Sequence, residues 1–297
     1  MLSDNARAAL FMLVSMAGFV VNDTFVKLAA DHISPPQIMA VRGVVASLLL
    51  FLLAWRMGAL RPLAMAMKPR LLVRTIADIT ATLSYITALS HMPIANASAI
   101  FQALPLTVTL GAALFLGEPV GWRRWAAIAV GFVGVLVIVR PGTDGFTIYS
   151  LAVLASVAAS AVRDLTTRRM DPKVPSLFIA MITAIAVSLL GWLLIPLSGG
   201  WRPMPALTLV HLSCAAASIA VGYIFIVQAM RIGDMGFVAP FRYAVLVFAL
   251  ILGLVVFGDL PSPLTLLGAA IVVASGLYTL YRERVRGVAA PVKTQVH

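Results

Sequence analysis

The chain reads as an all-α polytopic membrane protein: ten transmembrane helices arranged as two inverted five-helix repeats. Apolar runs of about twenty residues recur ten times and fill nearly all of the 297 residues, and a helix needs roughly 20 apolar residues to cross the hydrocarbon core. Hydrophobic residues make up 61% of the chain and charged residues 11%, with a mean hydropathy of +1.01, whereas about a quarter of a soluble domain is charged. The chain also matches itself at a fixed offset. Runs such as Val44 to Leu53 and Val245 to Val256 lack the alternation of a barrel strand, and lipid admits only helices or closed barrels because the backbone must satisfy its own hydrogen bonds.

Hydropathy places the spans in order. The first, 8–30, carries Asn22, Asp23 and Lys27 and has no small-residue cleavage pattern after it, so it is expected to be a retained helix and not a signal peptide. The second, 35–56, holds Arg42. The third, 71–91, has Arg74, Asp78, Thr82 and Tyr85 at helical spacing, a polar stripe that must turn from lipid. The fourth, 94–116, contains Asn96, Gln102 and Pro105, and the fifth is 122–140. The sixth, 147–168, repeats the stripe with Ser156, Ser160, Asp164 and Thr167. The seventh, 175–197, is apolar, and the eighth, 206–230, holds Cys214 and Gln228. The ninth, 235–257, contains Pro240-Phe241-Arg242-Tyr243, and the tenth is 263–281.

Charge sets the orientation. With the amino terminus inside, cytoplasmic segments collect residues such as Arg7, Arg56, Arg61, Lys68, Arg70, Arg123, Arg124, Arg168, Arg169, Lys173, Arg231, Arg282, Arg284, Arg286 and Lys293, while only Arg140 and Arg202 fall in outer loops. Short cytoplasmic loops carry the Lys and Arg excess, so both termini are expected in the cytoplasm. The net charge of +11 then reflects topology and contact with anionic lipid, with no nucleic-acid partner required. The single cysteine, Cys214, permits neither an internal disulfide nor a thiolate metal cluster.

At an offset of 141 (258 − 117), Gly117-Glu118 falls on Gly258-Asp259, Asp23 on Asp164, Ala88 on Ala229 and Ala103 on Ala244. Two halves are therefore expected, 1–142 and 143–282, followed by a basic tail, 283–297. Five spans is an odd number, so the second half must enter the membrane from the opposite side. Inverted repeats of this kind are built around a central site in secondary transporters.

These features resemble the EamA family of the drug/metabolite transporter superfamily: the ten-span layout, Gly117-Glu118 with Gly258-Asp259, the stretch Gly131-Phe132-Val133-Gly134-Val135-Leu136 and the closing Gly268-Ala269-Ala270-Ile271. The resemblance covers essentially the whole chain. It implies a bacterial inner-membrane carrier of small metabolites without a nucleotide-hydrolysing partner, and no Gly-rich phosphate loop is present. Asn22 to Lys27, Tyr85 to Leu89 and Trp122 to Trp125 are similar to the branch of riboflavin importers and S-adenosylmethionine carriers.

The ionisable residues within the spans are the candidate site. A charged side chain at the centre of a membrane helix costs ~2.5–3.5 kcal/mol on the translocon scale. Asp23 with Lys27, and Arg74 with Asp78, are four apart and can neutralise each other. Internal ion pairs holding register and a wet cavity between the halves both account for them. The spans hold five bases (Lys27, Arg42, Arg74, Arg163, Arg242) against three acids (Asp23, Asp78, Asp164), and a surplus of two (5 − 3) favours a neutral or anionic polar cargo. Arg242 beside Pro240, Phe241 and Tyr243 either meets a flat hydrogen-bonding ligand or pairs with Asp164 or Asp23. Pro105 and Pro240 are expected to bend the two central helices. Tyr85, Asn96, Gln102 and Gln228 complete the candidate hydrogen-bonding set. A proton-coupling group is left unassigned, since both Asp23 and Asp78 have a nearby base.

No His-Glu-x-x-His, Gly-x-Gly-Asp or serine-nucleophile motif occurs, so the expectation is a transporter and not an enzyme. No cofactor or metal is called for. The expected cargo is a small molecule, first riboflavin taken up, and alternatively an amino acid or S-adenosylmethionine exported or exchanged. A homodimer in the bilayer is compatible with the sequence.

Overall fold

The computed structural model describes residues 3–118, 120–142, 146–171 and 173–285. Among them no strand forms, and ten helical segments are long and apolar enough to cross a membrane. Helix α1 (Asp4–Ala30) is capped by Ser3, whose hydroxyl oxygen accepts from the Ala6 N–H. This polar first turn carries the helix four residues further back than hydropathy indicates. Helices α2 (Pro35–Arg56) and α3 (Pro69–Leu89) open on proline, whose missing N–H would have no partner there in any case.

The fourth span is broken. Helix α4 (Ile94–Phe101) stops, and α5 (Leu104–Phe115) resumes with Pro105 in its first turn. Helices α6 (Trp122–Val139), α7 (Ile148–Arg168), α8 (Ser176–Leu194) and α9 (Ala206–Ile232) follow. The seventh span ends before 197 because Pro196 opens a 3-10 turn, Pro196–Ser198. The ninth span breaks as well, with α10 (Met235–Val238) and a 3-10 turn, Ala239–Tyr243, preceding α11 (Ala244–Phe257). Pro240 lies in that turn, and Tyr243 stands 141 residues after Gln102 (243 − 102), so both breaks fall at one repeat position. Helix α12 (Pro263–Val285) runs three residues into the segment read as a basic tail, while Arg286 and Lys293 lie outside the described residues.

The main packing pairs are α1 with α9, α3 with α7, α2 with α8 and α6 with α12. Exchanging each helix for its counterpart in the other half returns the same four pairs. In lipid such pairs are held by close packing and hydrogen bonds between helices, because lipid tails are as apolar as the side chains. Small residues permit the approach. A Cβ at Gly191 would lie 2.5 Å from the Ala40 nitrogen and 2.7 Å from the Pro36 oxygen, and a Cβ at Gly268 would lie 2.7 Å from the Gly134 oxygen. The Ser188 hydroxyl donates to the Ala40 carbonyl at 2.9 Å, and Ser275 donates to the Ala127 carbonyl. Large apolar side chains such as Leu48, Ile76, Leu193 and Val255 point outward, as expected of a lipid-facing surface.

Gly191→Leu is expected to force α2 from α8 and destabilise the fold by ~1–3 kcal/mol, the usual range for overpacking. Heat unfolding of the purified protein in detergent measures it, and an unchanged midpoint would mean that the two helices separate freely.

Candidate substrate cavity

A cavity of about 270 Å³ lies between α1, α2 and α3 on one side and α7, α8 and α9 on the other, with Phe101 of α4 at its wall. Its lining includes residue pairs 141 apart: Asn22 and Arg163, Arg42 and Thr183, Asp78 and Ile219, Thr82 and Tyr223. The first three spans of each half thus build it, while α6 and α12 pack together elsewhere.

The charged groups form two clusters. In one, the Asp23 carboxylate accepts from the Tyr85 hydroxyl at 2.9 Å and from Asn22 Nδ2 at 2.9 Å. Arg42 Nη1 donates to Asn22 Oδ1 at 3.0 Å, and Tyr85 sits edge-on to Phe101, their ring centroids 5.1 Å apart. In the other, Arg163 bridges two carboxylates, Nη1 to Asp78 Oδ1 and Nε to Asp164 Oδ1, both at 2.8 Å. Arg74 joins it, with Nη1 3.8 Å from Asp78 Oδ2, and donates to Thr183 at 2.6 Å and Thr167 at 3.1 Å.

The sequence expectations divide accordingly. Asn22, Asp23, Arg42, Asp78 and Tyr85 line the cavity, and the α3 stripe faces it along its length. Asp164 stands just behind, tied to Arg163. Lys27, Gln102, Gln228, Arg242 and Tyr243 are not in the lining. Lys27 does not pair with Asp23 although helical spacing places both on one face. Its ammonium reaches away from the cavity, to the Met92 carbonyl at 2.6 Å and Asp259 at 3.6 Å. Arg242 makes no ion pair with Asp164 or Asp23 among the described residues; it lies in the 3-10 turn, with part of its side chain accessible. Gln228 is exposed, Gln102 is buried at the α4–α5 break, and Tyr243 packs on Gly276. The cavity lining therefore holds three bases and two acids, a surplus of one (3 − 2) where the whole spans gave two. Thr183 and Tyr223 were missed; the 141-residue offset carries Arg42 and Thr82 onto them.

Two ion pairs outside the cavity repeat one another. Lys27 with Asp259 (3.6 Å) and Arg168 with Glu118 (3.5 Å) are joined by the same offset, since 168 − 27 and 259 − 118 are both 141. The Lys27 pair is the more enclosed, its side chains 16% and 31% exposed against 53% and 47%.

A ten-span helical bundle around a cavity that carries charged side chains is the architecture of a multi-pass membrane transporter. The chain belongs to the EamA-like transporter family, whose profile matches residues 6–140 and again 147–281. It is a metabolite transporter and not an enzyme. It is 28% identical to the pseudopaline exporter CntI of Pseudomonas aeruginosa over 86% of this chain and 90% of that protein. It is 29% identical to a riboflavin transporter of Rhizobium johnstonii over 72% of this chain and 70% of the other, and 27% identical to an S-adenosylmethionine uptake transporter of Rickettsia felis over 68% of each. A solved crystal structure, 19% identical, superposes with a TM-score of 0.62 over 94% of this chain and 99% of that one, a likeness of fold.

Proposed function

We propose that the chain carries a small polar metabolite across the bacterial inner membrane by alternating access, its two halves inverted and both termini in the cytoplasm. The observation that carries this reading is the cavity itself, set within an apolar bundle, lined by the charged side chains of Asp23, Arg42, Arg74, Asp78 and Arg163 and by equivalent positions of both halves. In this orientation the Lys27–Asp259 pair stands at the outer end and the Glu118–Arg168 pair at the inner end. Both pairs are formed here, and as repeat-related contacts at opposite ends they would open in turn as the halves rock.

Riboflavin uptake is the first cargo reading. Tyr85 and Phe101 offer an aromatic wall beside the hydrogen-bonding groups of Asn22, Asp23 and Arg42, which suits a flat, polar ring system, and riboflavin transporters are among the relatives. The second reading is a carboxylate-bearing amino-acid derivative such as S-adenosylmethionine, exported or exchanged. It is favoured by Arg42, the one cavity cation without a carboxylate within 4 Å among the described residues. Flavin fluorescence in proteoliposomes separates the two: saturable entry above empty liposomes supports riboflavin, and no entry from folded protein removes it.

The end contacts give a further expected result. In a Cys214→Ser, Ala46→Cys background, Asp259→Asn should raise labelling by a membrane-impermeant maleimide added outside about two- to fivefold, the population shift available from ~0.5–1 kcal/mol. Glu118→Gln should lower it. Equal labelling in all three proteins would remove the pairs from the opening mechanism.

A further inference from the structure

Asp23 and Asp164 occupy one place in the two halves (164 − 23 = 141), and each accepts a hydrogen bond from the residue before it. In the second half that neighbour is Arg163, a cation; in the first it is Asn22, a neutral amide. The two carboxylates are therefore held differently. Asp164 and Asp78 are ion-paired with Arg163 at 2.8 Å, and Asp259 with Lys27 at 3.6 Å. Asp23 has neutral donors only, Tyr85 and Asn22, both at 2.9 Å, and no Lys, Arg or His nitrogen lies within 4 Å of it among the described residues.

The surroundings come from every helix packed on α1. Arg42 of α2 is turned to the Asn22 oxygen, and on α3 Tyr85 contacts Asp23 while Arg74 and Asp78 belong to the Arg163 cluster. Helix α9 presents Tyr223 to the cavity, His211 against Phe25 with ring centroids 5.7 Å apart, and Cys214. Helices α4, α10 and α11 carry no titratable side chain, and Arg242 and Tyr243 of the adjoining 3-10 turn stay outside the cavity lining.

Resting on the carrier reading, we infer that Asp23 is the proton-binding site of the transport cycle. Protonating an ion-paired carboxylate discards the attraction of its partner, whereas Asp23 can gain or lose a proton without breaking an ion pair. Tyr85 serves both forms, because a phenolic hydroxyl donates to the carboxylate and accepts from the carboxylic acid. The carboxylate takes one proton from water when the cavity opens to one face, forming an O–H bond. It returns that proton to water when the cavity opens to the other, so one proton crosses per cycle.

Infrared difference spectroscopy of the protein in lipid bilayers, with pH as the only variable and no cargo present, reads the carboxyl C=O band directly. Wild type is expected to gain a protonated-carboxyl band on mild acidification. Asp23→Asn should lose it, Asp164→Asn should keep it, and Tyr85→Phe should move its titration midpoint. Asp23→Glu restores a titrating band at a shifted frequency, which guards against a misfolded Asn variant. A band that persists in Asp23→Asn, or a wild type with no such band, overturns the assignment. Since no cargo is needed, a protein that moves no riboflavin still tests Asp23, and the liposome assay fails or succeeds separately.

Discussion

Arg163→Met should lose a large part of the stability of the folded protein, and the loss should be partly reversed by removing the charges that Arg163 holds. Its guanidinium meets Asp78 and Asp164 at 2.8 Å each, and among the described residues only Arg74, at 3.8 Å from Asp78, shares the burden. Taking one partner from a buried ion pair strands the other, at a cost of ~3–5 kcal/mol. The side chains here are 21%, 15% and 35% exposed, so screening by cavity water puts the expected loss near the lower end of that range, about 3 kcal/mol. Heat unfolding in detergent measures it. Adding Asp78→Asn and Asp164→Asn to Arg163→Met should recover part of the midpoint, because no carboxylate is then left without a cation, although Arg74 loses Asp78. A triple variant as unstable as the single one would mean that Arg163 acts through packing.

What the residues disclosed, and what they withheld, follows from the reach of each kind of pattern. Hydropathy located all ten spans because a membrane helix must be apolar over a fixed length, but it marks neither end effects such as the Ser3 cap and the Pro196 turn nor the breaks inside the fourth and ninth spans. Helical spacing identified the α3 and α7 stripes, since residues three and four apart share a face whatever the tertiary structure. The same spacing misled at Asp23 and Lys27. Sharing a face brings two side chains into reach, but Lys27 found Asp259, 232 residues away (259 − 27), in the loop between α11 and α12, which no local pattern reveals. Arg242 was read from its sequence neighbours, Pro240, Phe241 and Tyr243, which the structure winds as a 3-10 turn outside the cavity lining. Tyr223 could have been found by carrying the third-span stripe across the 141-residue offset, which relates Thr82 to it.

Arg42→Ala should depress transport about 10- to 100-fold while the thermal midpoint stays close to wild type. Among the described residues Arg42 makes a single hydrogen bond, to Asn22 at 3.0 Å, so little of the fold depends on it. The other two cavity cations are already engaged with carboxylates and have less to offer a ligand. A hydrogen bond to a charged group contributes ~1.5–3 kcal/mol, which is the stated range in rate if it is made to the cargo. Arg42→Lys should recover only part of the loss, because an ammonium lacks the planar fork that meets a carboxylate or an imide with two parallel bonds. Arg242→Ala, outside the lining, should change the rate less than twofold. The initial rate of entry of riboflavin or S-adenosylmethionine, whichever the wild type moves, measures all three. The opposite ranking, with Arg242 essential and Arg42 dispensable, would shift the binding site from the α1–α3 and α7–α9 cavity to the break in the ninth span.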